Sequence, residues 1–597
     1  MHSLLLGYDA EKRPVWLPPE DRRIHSHIIG SSGSGKSKFM ESLMRGDLQN
    51  RQGFCLIDPH GQLYEEVAGY CAHHVLSREI ILVNLSSPDS VIGFNPFQRA
   101  PEGDVSVQVD RRITATMHAW NVKDSDQTPT LARTLRLIYT VMLEQNLGLP
   151  QIQHLIDFNA KAIRSHLIER LDSPLIQKEW RELQGLQARD WREETLSAKN
   201  RLFKFLTSTA LARFMGIPGR SINLQEIMDN GKVLLVNLSP SDYLSSDNAK
   251  AFGALLVNEF FECARRRRRG PSGQPPKPYY LYLDEFQNFV SLDIADMLDQ
   301  VRKFGLFMVL AHQRFGQIDE NLVDAVLTNC GIKAVFGGLS VPNARRMAEE
   351  LFIGELDPKR IKVAIYQTKF WPEYKRDKVY SRGRSHTSTS ASSSSSAAGS
   401  FGGSASGMFF QPGDWFGSYG AEMSGASESS SLGSSRASGH SESFGDAFGE
   451  TESEADVPIL LPVPFEELSS VQYYSPEEQL LELTAALKEQ YPRHCFIKVS
   501  GQVTQPLLVP FVGPRYTPTA NRQWYEGKLA IEQQALSGDE VDTLIATQER
   551  ELRLSAGTEE ESDRTNTPHA VASNDEARGK RMRRPVNKVL EGYIGRE

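Results

Sequence analysis

The chain has 597 residues, of which 40% are hydrophobic and 24% charged, enough for more than one domain and a large core. Its formal net charge of -8 gives no global basic excess of the kind that announces nucleic acid, although a local patch or a lined pore stays open. Five scattered cysteines, with no C-x-x-C pair and an odd total, argue against a zinc site and a disulfide framework and fit a reducing cytoplasm. No apolar run approaches the length needed to cross a bilayer, and Met1–Tyr8 lacks the basic flank and long apolar core of a signal peptide. The expectation is a cytoplasmic protein with no membrane span of its own.

Residues 1 to about 30 read as a β-hairpin lead-in, with Gly7–Leu17 alternating around a polar turn. The next stretch, Gly30-Ser31-Ser32-Gly33-Ser34-Gly35-Lys36-Ser37, is a G-x-x-x-x-G-K-S phosphate-binding loop between a short strand, His27–Ile29, and the start of an amphipathic helix. Its glycines let successive backbone N–H groups turn toward phosphate oxygens, and the helix adds its positive end. In that pattern Lys36 reaches the β- and γ-phosphates of ATP and the Ser37 hydroxyl holds Mg2+. Gly53–Ile57 is a buried parallel strand carrying Asp58 at its C-terminal tip, where ligands of open α/β sheets sit. Asp58 either orders water at that edge or caps the following helix. A helix over Tyr64–His73 and a strand over Glu79–Asn84 continue the alternation, so the sheet is expected to be parallel and doubly wound.

From about Asp104 to Met215 the pattern changes to helical periodicities over Leu131–Leu143, Ile152–Leu171 and Leu202–Phe214, an all-α insertion. The sheet resumes at Lys232–Leu238, followed by a helix over Ser246–Arg269, a strand over Tyr279–Leu283, a helix over Ile294–Phe304, and strands at Leu306–Ala311 and Lys333–Phe336. Residues 381–456 are rich in Ser, Gly and Ala with isolated aromatics such as Phe401 and Trp415. They read as a disordered linker, with aromatic stickers for self-association as the other reading. Beyond it, 457–537 reads as a small β-α-β module closing back on the core, and 538–597 as a charged, mostly disordered tail.

The adjacent carboxylates Asp284 and Glu285 end an apolar strand. Asp284 is placed to bind Mg2+ and Glu285 to polarise the water that attacks the γ-phosphorus, which favours hydrolysis over nucleotide storage. The bland alternative is an acidic strand end capping the next helix. Gln313, just past the next strand, either senses the γ-phosphate or simply ends a strand. Arg302 is either a solvated helix-face arginine or one that reaches a neighbouring subunit's γ-phosphate. The run Arg265–Arg269 has two readings, cations favoured by a helix C-terminus or a nucleic-acid phosphate contact, and Lys580–Arg584 is a weaker cluster. No repeat of aromatics on a strand is evident that would suggest base stacking.

Taken jointly, Gly30–Ser37, Ile57–Gly61, Gly93–Phe97, Leu234–Ser239, Leu283–Phe286 and Arg302–Leu306 running into Ala311–Gln313 resemble the FtsK/HerA superfamily of RecA-fold motor ATPases. They are most similar to the soluble parts of type IV secretion (conjugative DNA transfer) coupling proteins. The resemblance covers about residues 5 to 370 and implies a RecA-like P-loop NTPase with an all-α insertion. The ATPase domain would then be divided as 1–103 and 216–380 around an insertion at 104–215. The family further implies a homo-hexameric ring that moves DNA, with Glu285 as the catalytic carboxylate, Gln313 as sensor and Arg302 as the trans-acting arginine. Coupling proteins usually carry N-terminal membrane helices and HerA-type motors an N-terminal β-barrel, whereas only a short lead-in precedes Gly30. Recruitment to a membrane would therefore fall to a partner, such as a channel protein; a relaxase or nuclease is the other partner class expected. The functional expectation is an ATP-dependent DNA translocase; the rival is an ATPase ring that scaffolds a defence or assembly complex.

Overall fold

In the computed structural model the described residues are 3–76, 79–87, 89–99, 103–120, 122, 128–217, 222–267, 274–289, 298, 300–387, 447–513 and 517–557. They fall into two units, one formed by 1–359 with 474–597 and the other by 360–473.

The first unit is built on an 11-stranded sheet. Its strands, in chain order, are β1 (Leu4–Tyr8), β2 (Pro14–Leu17), β3 (His25–Ile29), β4 (Gly53–Asp58), β5 (Ile80–Asn84), β7 (Val233–Asn237), β8 (Tyr279–Leu283), β9 (Leu306–His312), β10 (Cys330–Phe336), β13 (His494–Val499) and β14 (Gln505–Leu508); the two-residue β6 (Ser90–Val91) lies outside this sheet. The spatial order is β2-β1-β14-β13-β10-β3-β9-β8-β4-β7-β5. From β10 to β5 every pairing is parallel, whereas β13, β14, β1 and β2 are joined antiparallel. The central strands are apolar end to end because both faces are covered, as Phe54-Cys55-Leu56-Ile57 shows. Side-chain alternation divides them between two cores. Cys55, Ile57, Leu234, Leu281 and Met308 join the helical insertion, and Phe54, Leu56, Tyr282 and Val309 join the opposite face.

Two helices flank the site: α1 (Lys36–Gln49) leaves the phosphate loop, and α2 (Gln62–His73) follows β4. The insertion is helical, from Val105–Ala119 to Thr209–Met215, and two of its expected helices are each broken in two. Asp157–Ala160 separates Ile152–Ile156 from Lys161–Glu169, and Ser208 caps Thr209–Met215 by accepting from the Leu211 N–H. The helix expected over Ile294–Phe304 falls mainly outside the described residues; Arg302–Phe304 is a short 3-10 turn.

Several boundaries differ from those read in the sequence. The stretch 457–537 is no separate module: β13 pairs with β10 from Ile332↔Val499 to Phe336↔Cys495, making it part of the main sheet. Residues 538–555, expected in a disordered tail, form a helix over Gly538–Ser555, capped by Ser537 and held to the insertion by Arg213–Asp542 and His154–Glu549 contacts. Its buried Val541 is the apolar anchor that the charged composition obscures. The remainder of the tail, with Lys580–Arg584, lies outside the described residues.

The second unit is a two-stranded antiparallel ribbon of β11 (Ile361–Thr387) and β12 (Ala447–Tyr473), in register from Ile361↔Tyr473 to Thr387↔Ala447. It takes in both ends of the expected 381–456 linker, because cross-strand pairing orders residues whose composition alone would not. The middle of that linker, 388–446, lies outside the described residues. Pro372 stands opposite Pro462, where neither residue has an N–H to donate. Tyr366, Phe370 and Tyr374 stand exposed at every fourth position of β11, hence on one face, followed by exposed Arg376 and Lys378. This row is a repeat of aromatics on a strand, contrary to the expectation that none was present. It was missed because the segment was not read as a strand.

Candidate functional site

The site lies at the C-terminal edge of the parallel strands, where β3 runs into the phosphate loop. Gly33 and Gly35 take φ of 77° and 114°, the left-handed region that glycine enters without a Cβ penalty. At Gly30 a Cβ would come within 2.5 Å of Phe336 Cβ. The loop is held from outside: the Ser31 N–H donates to Gly337 O at 3.1 Å. Lys36 is buried and folds back over the loop, its Nζ donating to Gly30 O at 2.8 Å and to Ser31 O at 3.0 Å. Burial pulls its pKa down, opposed by the nearby charges of Glu285 and Asp284. Ser37 stands in the first turn of α1, one residue on.

Strand order brings the carboxylates to this loop. β9 separates β3 from β8, so the tips of β8 (Asp284-Glu285) and β9 (Gln313) lie side by side. The two carboxylates, each only 6% exposed, are treated differently by their surroundings. Glu285 adopts φ 46° and ψ 53°, a left-handed conformation that costs a non-glycine residue about 1 kcal/mol or more. Both its oxygens are gripped by amides: Gln313 Nε2 donates to Oε1 at 2.6 Å and Gln287 Nε2 to Oε2 at 2.8 Å. Asp284 accepts one N–H, that of Glu285, at 3.1 Å. Burial, then repulsion from Asp58 and Glu285, pushes its pKa up to about 6 against the pull of Lys36 and His60. Asp58 engages both oxygens in local turns, accepting from the His60 N–H at 2.8 Å and the Tyr64 N–H at 2.9 Å. The structure thus gives Asp58 the capping geometry, and it meets the reacting edge only through its charge on Asp284.

Behind Gln313 lies a pair that sequence reading passed over. His27 on β3 and His312 on β9 share a buried hydrogen bond, Nε2 to Nε2 at 2.8 Å, with rings stacked at 5.0 Å. Burial lowers both pKa values, that of His312 to about 4, so one neutral imidazole donates and the other accepts. The pair ties the phosphate-loop strand to the strand that delivers Gln313. In sequence His27 is one of two histidines in a strand, His25–Ile29, that is itself half polar, and His312 is the last residue of an apolar strand, so neither stands out.

Arg302 is not part of this constellation. It lies before β9, whose seven residues separate it from Gln313 by about 20 Å. There it is exposed and lines a cavity of about 360 Å³ with Arg23, Lys303, Phe307 and three prolines. Of the arginine run, Arg267 is buried and donates to Asp229 Oδ1 at 2.7 Å, Lys277 O at 2.7 Å and Phe304 O at 3.0 Å. That ties loops together and removes Arg267 from any phosphate contact. Arg265 and Arg266 pair with Glu262 and Glu259, and Arg268 and Arg269 lie outside the described residues.

With this geometry in place, the relatives can be compared. Residues 278–399, which carry Asp284, Glu285, Arg302 and Gln313, match the family model described as the TraM recognition site of TraD and TraG. This segment is coupling-protein-like. Over this segment the match bears out the resemblance to coupling proteins drawn from the motifs. No curated protein matches the chain. Among solved structures, an unbound form of the bacterial conjugative coupling protein TrwBdeltaN70 aligns at 13% identity and TM-score 0.43, covering 86% of this chain and 90% of its own. TrwB with a non-hydrolysable ATP analogue aligns at 16% and TM-score 0.40, covering 58% and 78%. VirB4 of Thermoanaerobacter pseudethanolicus aligns at 14% and TM-score 0.34, covering 58% and 87%. No residue role is carried over from these three. Among the described residues no helix is long and apolar enough to cross a membrane, and no group of three or more His, Cys, Asp or Glu is arranged to hold a metal.

Proposed function

We propose that the protein is an ATP-hydrolysing motor that translocates DNA as a ring, in conjugative or mobile-element transfer. The observation that carries hydrolysis is Glu285. It is a buried carboxylate gripped by Gln313 and Gln287 beside the loop that holds Lys36. Held in that way its charge faces the loop, where it would accept a proton from attacking water, and Gln313 would register the loss of the γ-phosphate through the bond it already makes. Lys36, now satisfied by Gly30 and Ser31 carbonyls, would exchange them for phosphate oxygens.

The residues fit ATP and Mg2+. Asp284 is buried among like charges and accepts a single N–H, so a cation would relieve it, with the Ser37 hydroxyl as second protein ligand. Bound there, Mg2+ would neutralise charge on the β- and γ-phosphates.

DNA as the substrate is supported by the match of residues 278–399 to the family model of TraD and TraG. A ring with Arg302 acting on the neighbouring subunit is supported by its position, exposed and remote from the loop of its own subunit. The test is the ATPase rate of the purified chain with and without single- and double-stranded DNA at two salt concentrations. Stimulation by DNA that fades with salt is expected, since phosphate contacts release counterions. A rate indifferent to every DNA would overturn the motor.

A further inference from the structure

The phosphate loop is walled on its far side by the C-terminal part of the chain. β13 is antiparallel to β10, so it begins at the edge where the parallel strands end; β14 is antiparallel to β13 and finishes at that same edge. The turn before β13 and the loop after β14 therefore flank the phosphate loop on the side away from Glu285 and Gln313. Contact is direct: the Arg493 N–H donates to Ser34 O at 2.9 Å. A Cβ at Gly35 would lie 3.1 Å from Arg493 N and 3.2 Å from its Cα, a tight contact that Arg493 would have to yield to. Arg493 itself takes φ 69°, unusual for a residue with a side chain.

One aromatic ring backs this arginine and a second stands two residues upstream. Phe511 lies under its guanidinium at 5.2 Å and is 75% exposed, and Tyr491, two residues upstream, is 77% exposed with its ring edge toward His494. The backbone beneath them is fixed. Val509 N–H donates to Arg493 O at 2.8 Å, Arg493 Nη2 donates to Val509 O at 2.8 Å, and His494 N–H donates to Tyr491 O at 3.0 Å. Large rings left this open, on a framed backbone beside a phosphate loop, have π faces available to a flat ligand.

We propose that Tyr491, Arg493 and Phe511 form the platform for the nucleobase of the nucleotide whose phosphates lie in the Gly30–Ser37 loop. This rests on the loop holding a nucleoside triphosphate. The γ end must face Glu285, so ribose and base leave toward the opposite side, where β10 and β14 end and β13 begins. Stacking on Phe511 or Tyr491 and the cation of Arg493 would recognise a heteroaromatic ring of any sequence-neutral kind, with purines favoured by their larger face.

The experiment compares ATP with inorganic tripolyphosphate, which has the phosphates and no base, by calorimetric titration of the full chain with Mg2+. Phe511→Ala and Tyr491→Ala should each weaken ATP binding about tenfold and leave tripolyphosphate affinity unchanged, with unaltered melting temperature. In Phe511→Trp, ATP should bind at the original strength and quench the indole fluorescence, and tripolyphosphate should not. Equal losses for both ligands, or unchanged ATP affinity in both alanine variants, would overturn the platform. Failure of the unaltered chain to bind either ATP or tripolyphosphate would instead overturn the phosphate-loop reading, and the platform with it.

Discussion

Asp284→Asn should make the protein more stable and, at the same time, useless as a motor. Burial and the charges of Asp58 and Glu285 raise the Asp284 pKa from 3.8 to about 6. For a carboxyl whose folded pKa lies above its unfolded one, the favourable contribution is complete below pH 3.8 and is lost as pH rises through 6. A shift of about two units at about 1.4 kcal/mol each means that the ionised group costs the ligand-free fold about 3 kcal/mol at pH 8. Asparagine keeps an oxygen for the Glu285 N–H, bonded at 3.1 Å, and removes the charge. Thermal unfolding of the ligand-free chain should show Asp284→Asn melting several degrees above the original at pH 8, with the gap closing by pH 4. With Mg2+ and ATP the order should reverse, because the charged carboxylate holds the cation more strongly than the neutral amide oxygen that replaces it. An Asp284→Asn chain that melts at or below the original at pH 8, or a gap that does not change with pH, would refute the repulsion at Asp284.

Lys36→Ala should abolish turnover and weaken nucleotide binding, whereas Glu285→Gln should keep nucleotide bound and lower the hydrolysis rate about 10²- to 10⁴-fold, read by steady-state phosphate release. Normal turnover in Glu285→Gln would move the general base elsewhere. Arg302→Ala subunits mixed with Lys36→Ala subunits should regain part of the ATPase rate if Arg302 serves a neighbour's site, and no regain at any ratio would count against it. Arg22→Leu should destabilise the first unit by about 3–5 kcal/mol in denaturant unfolding, because it strands a buried charge. Arg22 bonds Asp47 through both terminal nitrogens and lies 3.7 Å over the Tyr280 ring, and Asp47 has no exposure.

The parallel half of the sheet was legible because most of its strands are short apolar runs, several of them ending at a polar residue, as Gly53–Asp58, Ile80–Asn84, Val233–Asn237 and Leu306–His312 do. Asp284, Glu285 and Gln313 could be placed at one edge on the same grounds, since the tips of neighbouring strands must meet. Geometry then decided what the motif left open. Asp58 has both oxygens taken by backbone N–H groups, and Arg267 is buried under carbonyls, neither of which a linear pattern reveals. The ribbon stayed hidden for a different reason. β11 and β12 stabilise one another across an intervening 59 residues, 388–446, so its signal is a pairing and not a local periodicity.

The antiparallel half of the sheet follows the same logic and bears on the chemistry. β13 reads locally as an alternating strand with no assigned neighbour; it completes the site only because His494–Val499 docks on β10 in a register that sets Arg493 against Ser34. A one-residue slip would exchange the faces of Cys495 and Phe496, removing the buried cysteine from the core beside Phe336 and carrying Arg493 away from the loop. The phosphate loop and its far wall are thus joined by residues more than 450 positions apart in sequence.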